Sequence, residues 1–390
     1  MKEKILTFDF LRAIAILAIL LTHSTTYLGY KYIKYTILIF TPFFAKIGLS
    51  LFVFISGYLI HYNNSKISSI KDVLLFYKKR FLRIFPLYWA ALVVFTFVFY
   101  DYSSILSSQF IMSNANTLFS FRNLLIHLLG MQMLLAPTYS TPLFTLHFVG
   151  TIIIFYLIYP FLMLYSKNTS RFLLISFLVF MVLALISGIF KIIHENFFSY
   201  YPIFIAGIIL SRVNVSDRWV YNPYFAIIPT LFLLSVLLQD RLFLLLDPRF
   251  SIITTSSEAI SSSLAITVIK GFAASIGLSY EVVRFAVMSI SSNVSMILFC
   301  VAQLWIANIC INDKFSPMIS SIITYVSTAS YTVYLFHRPV LALWVSLADR
   351  IHMLPFLQDC ITIILIVPAL FIVSYYIQTK ESFLRKRFFD

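Results

Sequence analysis

Arg12 and His23 stand in one apolar run, Phe8-Asp9-Phe10-Leu11-Arg12 through Leu21-Thr22-His23. At about 100° per residue, eleven steps make about three turns plus 20°, so a helix presents both side chains on one face. A charge placed in hydrocarbon costs at least about 2.5–3.5 kcal/mol on insertion scales and marks a functional position by default. The chemistry such a pair offers is a proton acceptor, His23, above a fixed cation, Arg12, with Asp9 one turn earlier to orient the guanidinium. The bland alternative is that Arg12 snorkels to one membrane surface while His23 caps the other end.

Three further stretches carry polar groups with a pattern. Lys78-Lys79-Arg80-Phe81-Leu82-Arg83 sets two arginines one turn apart on a helix face. Their planar forks pair with phosphate oxygens in bidentate fashion, so the pair could hold a diphosphate; its bland reading is a topology signal. Ser56-Gly57 interrupts the bulky run Leu51–Ile60 and would let a neighbouring helix or an acyl chain approach the backbone. Finally, Tyr331, Tyr334 and His337 step along at i, i+3 and i+6, sharing a face, and Pro339 is expected to break the helix just beyond.

The elements that must position these groups are membrane helices. The 390 residues are 61% hydrophobic and only 11% charged, against about 25% charged in a soluble domain. Apolar runs long enough to cross about 30 Å of hydrocarbon recur throughout. They fall near 8–28, 43–61, 82–100, 143–165, 172–190, 197–211, 224–239, 285–311, 319–345 and 356–377. The expectation is an all-α polytopic membrane protein of about ten transmembrane helices, a single domain over 1–390 with a basic tail at 380–390. The first run carries Arg12 within it and reads as a retained span rather than a cleaved signal.

With the N-terminus inside, both termini are cytoplasmic, and the clusters Lys66–Arg83, Lys167 with Arg171, Arg212 with Arg218, and Lys380–Arg387 fall inside. That distribution makes the net charge of +14 a topology determinant and not a nucleic-acid surface. Residues 122–135 are too short to span easily and suit an outer re-entrant or interfacial helix, and 258–279 belong to a large outer loop. The Ser/Asn-rich stretch 101–120 reads as a flexible outer loop. Cys300, Cys310 and Cys360 show no metal-ligand spacing and read as packing residues.

Together these stretches resemble the acyltransferase-3 family of integral membrane acyltransferases. Phe8-Asp9-Phe10-Leu11-Arg12-Ala13-Ile14-Ala15 looks like its opening Asp-x-Leu-Arg-x-Ile-Ala, and His23 keeps its Arg-x10-His spacing. Phe54-Ile55-Ser56-Gly57-Tyr58 is similar to its Phe-x-Ser-Gly-Phe/Tyr element, and Arg80-x-x-Arg83-Ile-Phe-Pro to its Arg-x-x-Arg-Ile-Tyr-Pro. Ser330–Pro339 looks like its closing Ser-Tyr-x-x-Tyr-Leu-x-His-x-Pro, with weaker matches at Phe155–Pro160 and Tyr201–Gly207. One departure stands out: many members carry Trp-Ser-Leu-x-x-Glu before the Phe-Tyr-Leu-x-Tyr-Pro stretch, whereas Leu143-Phe144-Thr145-Leu146-His147-Phe148 holds no acidic residue. His147 is the candidate to take that place, beside the plainer reading of an interfacial histidine.

What the resemblance implies is transfer of an acyl group, most often acetyl, from cytoplasmic acyl-CoA to a hydroxyl of a surface or exported polysaccharide or its lipid-linked precursor. A bacterial cytoplasmic membrane is the implied setting, bilayer lipids, acyl-CoA and a glycan or glycolipid the implied partners, and no metal is expected. His23 would be the general base, with Arg12 and Asp9 beside it. Arg80 and Arg83 would hold the phosphates of acyl-CoA, with Ser56 and Gly57 lining the donor side, and Tyr331, Tyr334 and His337 would shape the acceptor side. The competing readings are a transporter or flippase of lipid-linked sugars, which would favour broken helices in two matching halves, and a glycan polymerase, which would carry arginine-rich outer loops. The sequence shows neither.

Overall fold

The computed structural model describes residues 2–29, 41–64, 67–104, 106, 115–143, 145–165, 168–213, 279–311 and 316–387, with isolated positions between 227 and 277. Among the described residues the chain is helical, with no strand. The chain divides into two compact units, 1–214 together with 310–390, and 215–309. In the second unit Phe232 packs on Phe299, ring centroids 5.2 Å apart. The first unit carries every candidate residue.

Its helices are α1 (Lys2–Tyr27), α2 (Thr41–Asn63), α3 (Ile70–Thr96, extended by a π turn at Phe97–Asp101), α4 (Ala115–Leu118) and α5 (Phe121–Leu128). Then come α6 (Leu146–Tyr165), α7 (Thr169–Phe190) and α8 (Glu195–Arg212). After α9 (Tyr280–Ile311), most of which belongs to the second unit, follow α10 (Pro317–Arg350), α11 (Pro355–Ile361) and α12 (Val367–Arg387). A π turn at Thr362–Ile366 joins the last two. It sits where Pro368 cannot donate to the carbonyl of Ile364, so the local ladder widens rather than breaking.

Among the described residues, seven helical stretches are long and apolar enough to cross a membrane: Leu6–Ser24, Phe44–Asn63, Ile70–Asp101, Leu146–Tyr165, Thr169–Phe190, Ala286–Ile311 and Pro355–Arg385. The expected spans at 197–211 and 319–345 are also helices, α8 and α10, but both are richer in polar residues. Ser327, Ser330, Thr332 and His337 of α10 are buried inside the protein, where hydrophobicity toward lipid is not required. The expected span at 224–239 lies largely outside the described residues, as does much of 101–120 and 258–279. Residues 122–135 form the eight-residue α5 and a series of turns; at 1.5 Å per residue α5 reaches only about 12 Å, too short to span.

Pro339 does not break α10, contrary to the expectation from sequence: the helix runs on to Arg350. The ring removes one backbone donor and leaves the Leu335 carbonyl without its helical partner, a loss that a helix packed among others tolerates. α7 shows the opposite environment: Leu174, Phe177, Leu185 and Ile189 are exposed, as a lipid-facing surface requires.

Neighbouring helices close a ring: α8 packs on α2, α2 on α1, α1 on α10, α10 on both α12 and α3, α3 on α6, and α6 back on α8. The tightest seam is between α2 and α8. A Cβ on Gly57 would lie 2.2 Å from the Phe204 carbonyl oxygen, and one on Gly207 would lie 2.2 Å from the Phe54 carbonyl oxygen. Only glycine allows two backbones so close at both places.

Candidate active site

The ring of helices surrounds a cavity of about 380 Å³. Asp9 and Arg12 enter it from α1, Ser56 from α2, Arg80 and Arg83 from α3, Tyr156 from α6, Tyr331 and Tyr334 from α10, and Arg385 from α12. Apart from Tyr156 and Tyr334, near the middles of α6 and α10, these residues lie in the first halves of α1, α3 and α10 and toward the last turns of α2 and α12. The antiparallel ends of the bundle therefore meet there, on the side carrying both the start of α1 and the end of α12.

Most of the candidate side chains are held by a specific neighbour. Arg12 Nη1 donates to Asp9 Oδ1 at 3.1 Å, and the same oxygen accepts from Ser327 Oγ of α10 at 2.7 Å. The carboxylate that steers Arg12 is thus itself pinned across 318 positions of sequence. α3 begins at a capping box: Ser69 Oγ accepts from the Asp72 amide at 3.2 Å, and Asp72 Oδ2 accepts from the Ser69 amide at 2.9 Å. That start carries Arg80 and Arg83 into the bundle on a rigid helix that begins well before residue 82. Arg80 lies over the rings of Phe76 and Tyr156, 5.3 Å from each centroid. Ser56 shares a 2.8 Å hydrogen bond with Tyr156 Oη, fixing the platform on which Arg80 rests. Tyr331 Oη donates to the Ile84 carbonyl at 3.0 Å, locking α10 to the turn that bears Arg83.

His23 is not part of this cavity. Eleven residues of α1 carry it about 16 Å beyond Arg12, where its ring faces that of His337 with centroids 5.2 Å apart. His147 and Arg338 lie within electrostatic range of it. His337 is fully buried, and its Nδ1 lies 2.9 Å from the Tyr334 carbonyl and 3.1 Å from that of Val333. Two carbonyl oxygens around Nδ1 require the proton there, leaving Nε2 as a lone-pair acceptor; that nitrogen is buried and makes no hydrogen bond. Phe52, Phe148 and Tyr334 separate the two regions as an aromatic septum, with centroids 5.6–6.5 Å apart. Tyr334 Oη donates to the Thr145 carbonyl, and its ring touches that of His337 at 6.2 Å.

Asp9, Arg12, Ser56, Arg80 and Arg83 therefore converge on one cavity, and His23 meets His337 beyond the septum. Tyr331 and Tyr334 line the arginine cavity, Tyr334 also forming the boundary with His337. Gly57 does not line the cavity: it faces α8, so its smallness admits a helix backbone. His127, which the sequence left unassigned, is a structural residue. Its Nδ1 meets the Asn123 carbonyl at 2.7 Å and its Nε2 accepts from the Leu143 amide at 3.0 Å, fixing the approach to α6.

Sequence reasoning passed over Ser327, Tyr156 and the Glu381–Arg385 pair. The last had a local signal, an acid and a base at i, i+4 near a helix end. Ser327 had none, because a lone serine in an apolar helix announces no partner.

A polytopic helical membrane protein that gathers arginines at one end and histidines deeper within is the class these observations define. The family model described as an acyltransferase domain matches residues 5–378, and the chain belongs to the acyltransferase-3 family of membrane acyltransferases. Neither the curated proteins nor the solved structures give a match to this chain.

Proposed function

We propose that this membrane acyltransferase moves an acyl group, most often acetyl, from cytoplasmic acyl-CoA to a hydroxyl of a surface or exported polysaccharide or its lipid-linked precursor, in a bacterial cytoplasmic membrane. The observation that carries this reading is the division of the bundle into an arginine-lined cavity and a histidine pair behind an aromatic septum. Arginine forks suit the phosphates of the donor, and a paired imidazole suits deprotonation of a sugar hydroxyl, a poor nucleophile by itself.

In this scheme Arg80 and Arg83 hold the diphosphate, and the donor's pantetheine arm passes the rings of Phe52, Phe148 and Tyr334 to bring its thioester to His23. The hydroxyl oxygen attacks the thioester carbon as His23 accepts the proton, the carbon–sulfur bond breaks, and the departing thiolate takes the proton back. His337, its lone pair directed by the carbonyls that hold Nδ1–H, supports the second imidazole position. Arg12, steered by Asp9, contacts the donor on its way in.

The test is the surface polysaccharide of the host, scored by NMR for ester-linked acyl groups with the gene present, deleted, and replaced by variants. One O-acyl signal disappears on deletion, returns with wild type, and stays absent with His23→Ala at equal expression. His337→Gln, whose amide can reach the position of Nε2, retains more activity than His337→Asn, whose amide reaches that of Nδ1. An unchanged acyl pattern with glycan missing from the surface would overturn the transferase reading, and full activity of His23→Ala would remove its role as base.

A further inference from the structure

The last turns of α12 add a fourth arginine to the cavity. Gln378, Ser382 and Arg385 line it, and the latter two lie beyond residue 378, where the family match ends. Arg385 Nη1 lies 3.6 Å from Glu381 Oε1, an ion pair without a hydrogen bond, and that nitrogen is buried with no hydrogen-bond partner. Glu381 in turn accepts from Gln378 Nε2 at 3.0 Å, and Gln378 Oε1 accepts from Thr332 Oγ1 of α10 at 2.9 Å. The arrangement repeats the design around Arg12: a carboxylate tied to α10 steers a guanidinium into the cavity.

The charge balance of the cavity favours an anion. Arg12, Arg80, Arg83 and Arg385 face one space, and Asp9 and Glu381 offset two of them, leaving two positive charges unmatched. Arg80, Arg83 and Arg385 are close enough to repel one another. Three of the four mark two stations, Arg12 being paired with Asp9 on α1: Arg80 and Arg83 one turn apart on α3, a spacing that fits two linked phosphates, and Arg385 on another helix. A ligand with a diphosphate and a separate monophosphate fits both stations.

Resting on the donor reading above, we infer that Arg385, steered by Glu381, forms the subsite for the ribose 3′-phosphate of coenzyme A. It thereby makes the enzyme selective for CoA over donors lacking that group. The end of α12 is then part of the substrate site and not only a topology signal.

The experiment is calorimetric titration of the full-length protein in zwitterionic nanodiscs with CoA and with 3′-dephospho-CoA. Wild type binds CoA about tenfold or more tightly than 3′-dephospho-CoA, as one charge-assisted contact predicts. Arg385→Gln binds both at the wild type's 3′-dephospho-CoA level, and Arg385→Lys, which keeps a point charge, retains an intermediate ratio. A wild-type ratio near one, or a full ratio in Arg385→Gln, overturns the inference while leaving the donor reading intact. Should Arg385→Gln fail to fold, a full wild-type ratio in Arg385→Lys overturns it, since the lost fork must cost selectivity. Absence of binding by either compound to wild type removes the donor reading, and this subsite with it.

Discussion

Gly57→Ala is the substitution for which the structure gives the most direct magnitude. The new methyl carbon would stand 2.2 Å from the Phe204 carbonyl oxygen and 3.1 Å from its carbonyl carbon, whereas ordinary contact begins at 3.4 Å. The obstacle is backbone, which cannot rotate away as a side chain can. The α2 and α8 backbones must part by about 1 Å, and a gap of that size forfeits a quarter to half of the dispersion at each contact along the seam. Overpacking of this kind costs about 1–3 kcal/mol. Activity falls as well, because Ser56 is the adjacent residue and its 2.8 Å bond to Tyr156 holds the platform under Arg80. The assay is denaturant-induced unfolding of the purified protein in detergent, with donor turnover measured on the same samples. Gly207→Ala gives the mirror-image loss against Phe54. Gly188→Ala is the control, since a Cβ there meets nothing within 4 Å and replacing a helical glycine contributes about 0.5–1 kcal/mol of stability. Equal stability of Gly57→Ala and wild type would refute the close approach of the two backbones.

Asp9→Asn keeps an oxygen for Ser327 but removes the charge that steers Arg12. With roughly 1.5–3 kcal/mol in a hydrogen bond between charged groups, turnover falls about ten- to a hundredfold and the unfolding midpoint drops as well, and unchanged turnover would exclude a role for the pair. His194, which caps α8 between two spans, accepts from the Asn196 amide at 3.2 Å and so must be neutral there. Burial holds its pKa below the usual 6.5, with Glu195 opposing. A folded pKa below the unfolded one means stability is present above about pH 6.5 and is lost as pH falls through the lower folded value. Unfolding midpoints measured across pH 4–8 therefore decline on the acid side, and His194→Asn, which keeps a cap without titrating, flattens that decline; an identical profile would refute it.

The parts of the site legible in the sequence are those encoded locally. The pairing of Asp9 with Arg12 and the common face of Arg80 and Arg83 follow from helical spacing, and the structure bears out both geometries. What was not legible depends on which helix is the neighbour. Ser56 and Gly57 are adjacent, yet they turn to different partners, a tyrosine of α6 and the backbone of α8. His23 and His337 meet across more than three hundred residues. The persistence of α10 through Pro339 and the burial of its polar face likewise depend on the surrounding helices, since hydropathy measures affinity for lipid and Ser327, Ser330, Thr332 and His337 face protein.

α10 also imposes an order on how the molecule can be made. Ser327, Tyr331 and Tyr334 supply the partners of Asp9, the Ile84 carbonyl and the Thr145 carbonyl, which lie 318, 247 and 189 residues earlier in the chain. While the ribosome is still adding those residues, α1, α3 and the approach to α6 must wait in the bilayer with polar groups that lack these final partners. The nascent protein is thus exposed to quality-control proteolysis until its ninth-tenth is synthesised. A nonsense mutation just before Ser327 would leave α1 to α9 in place and still remove the groups that let them close on one another.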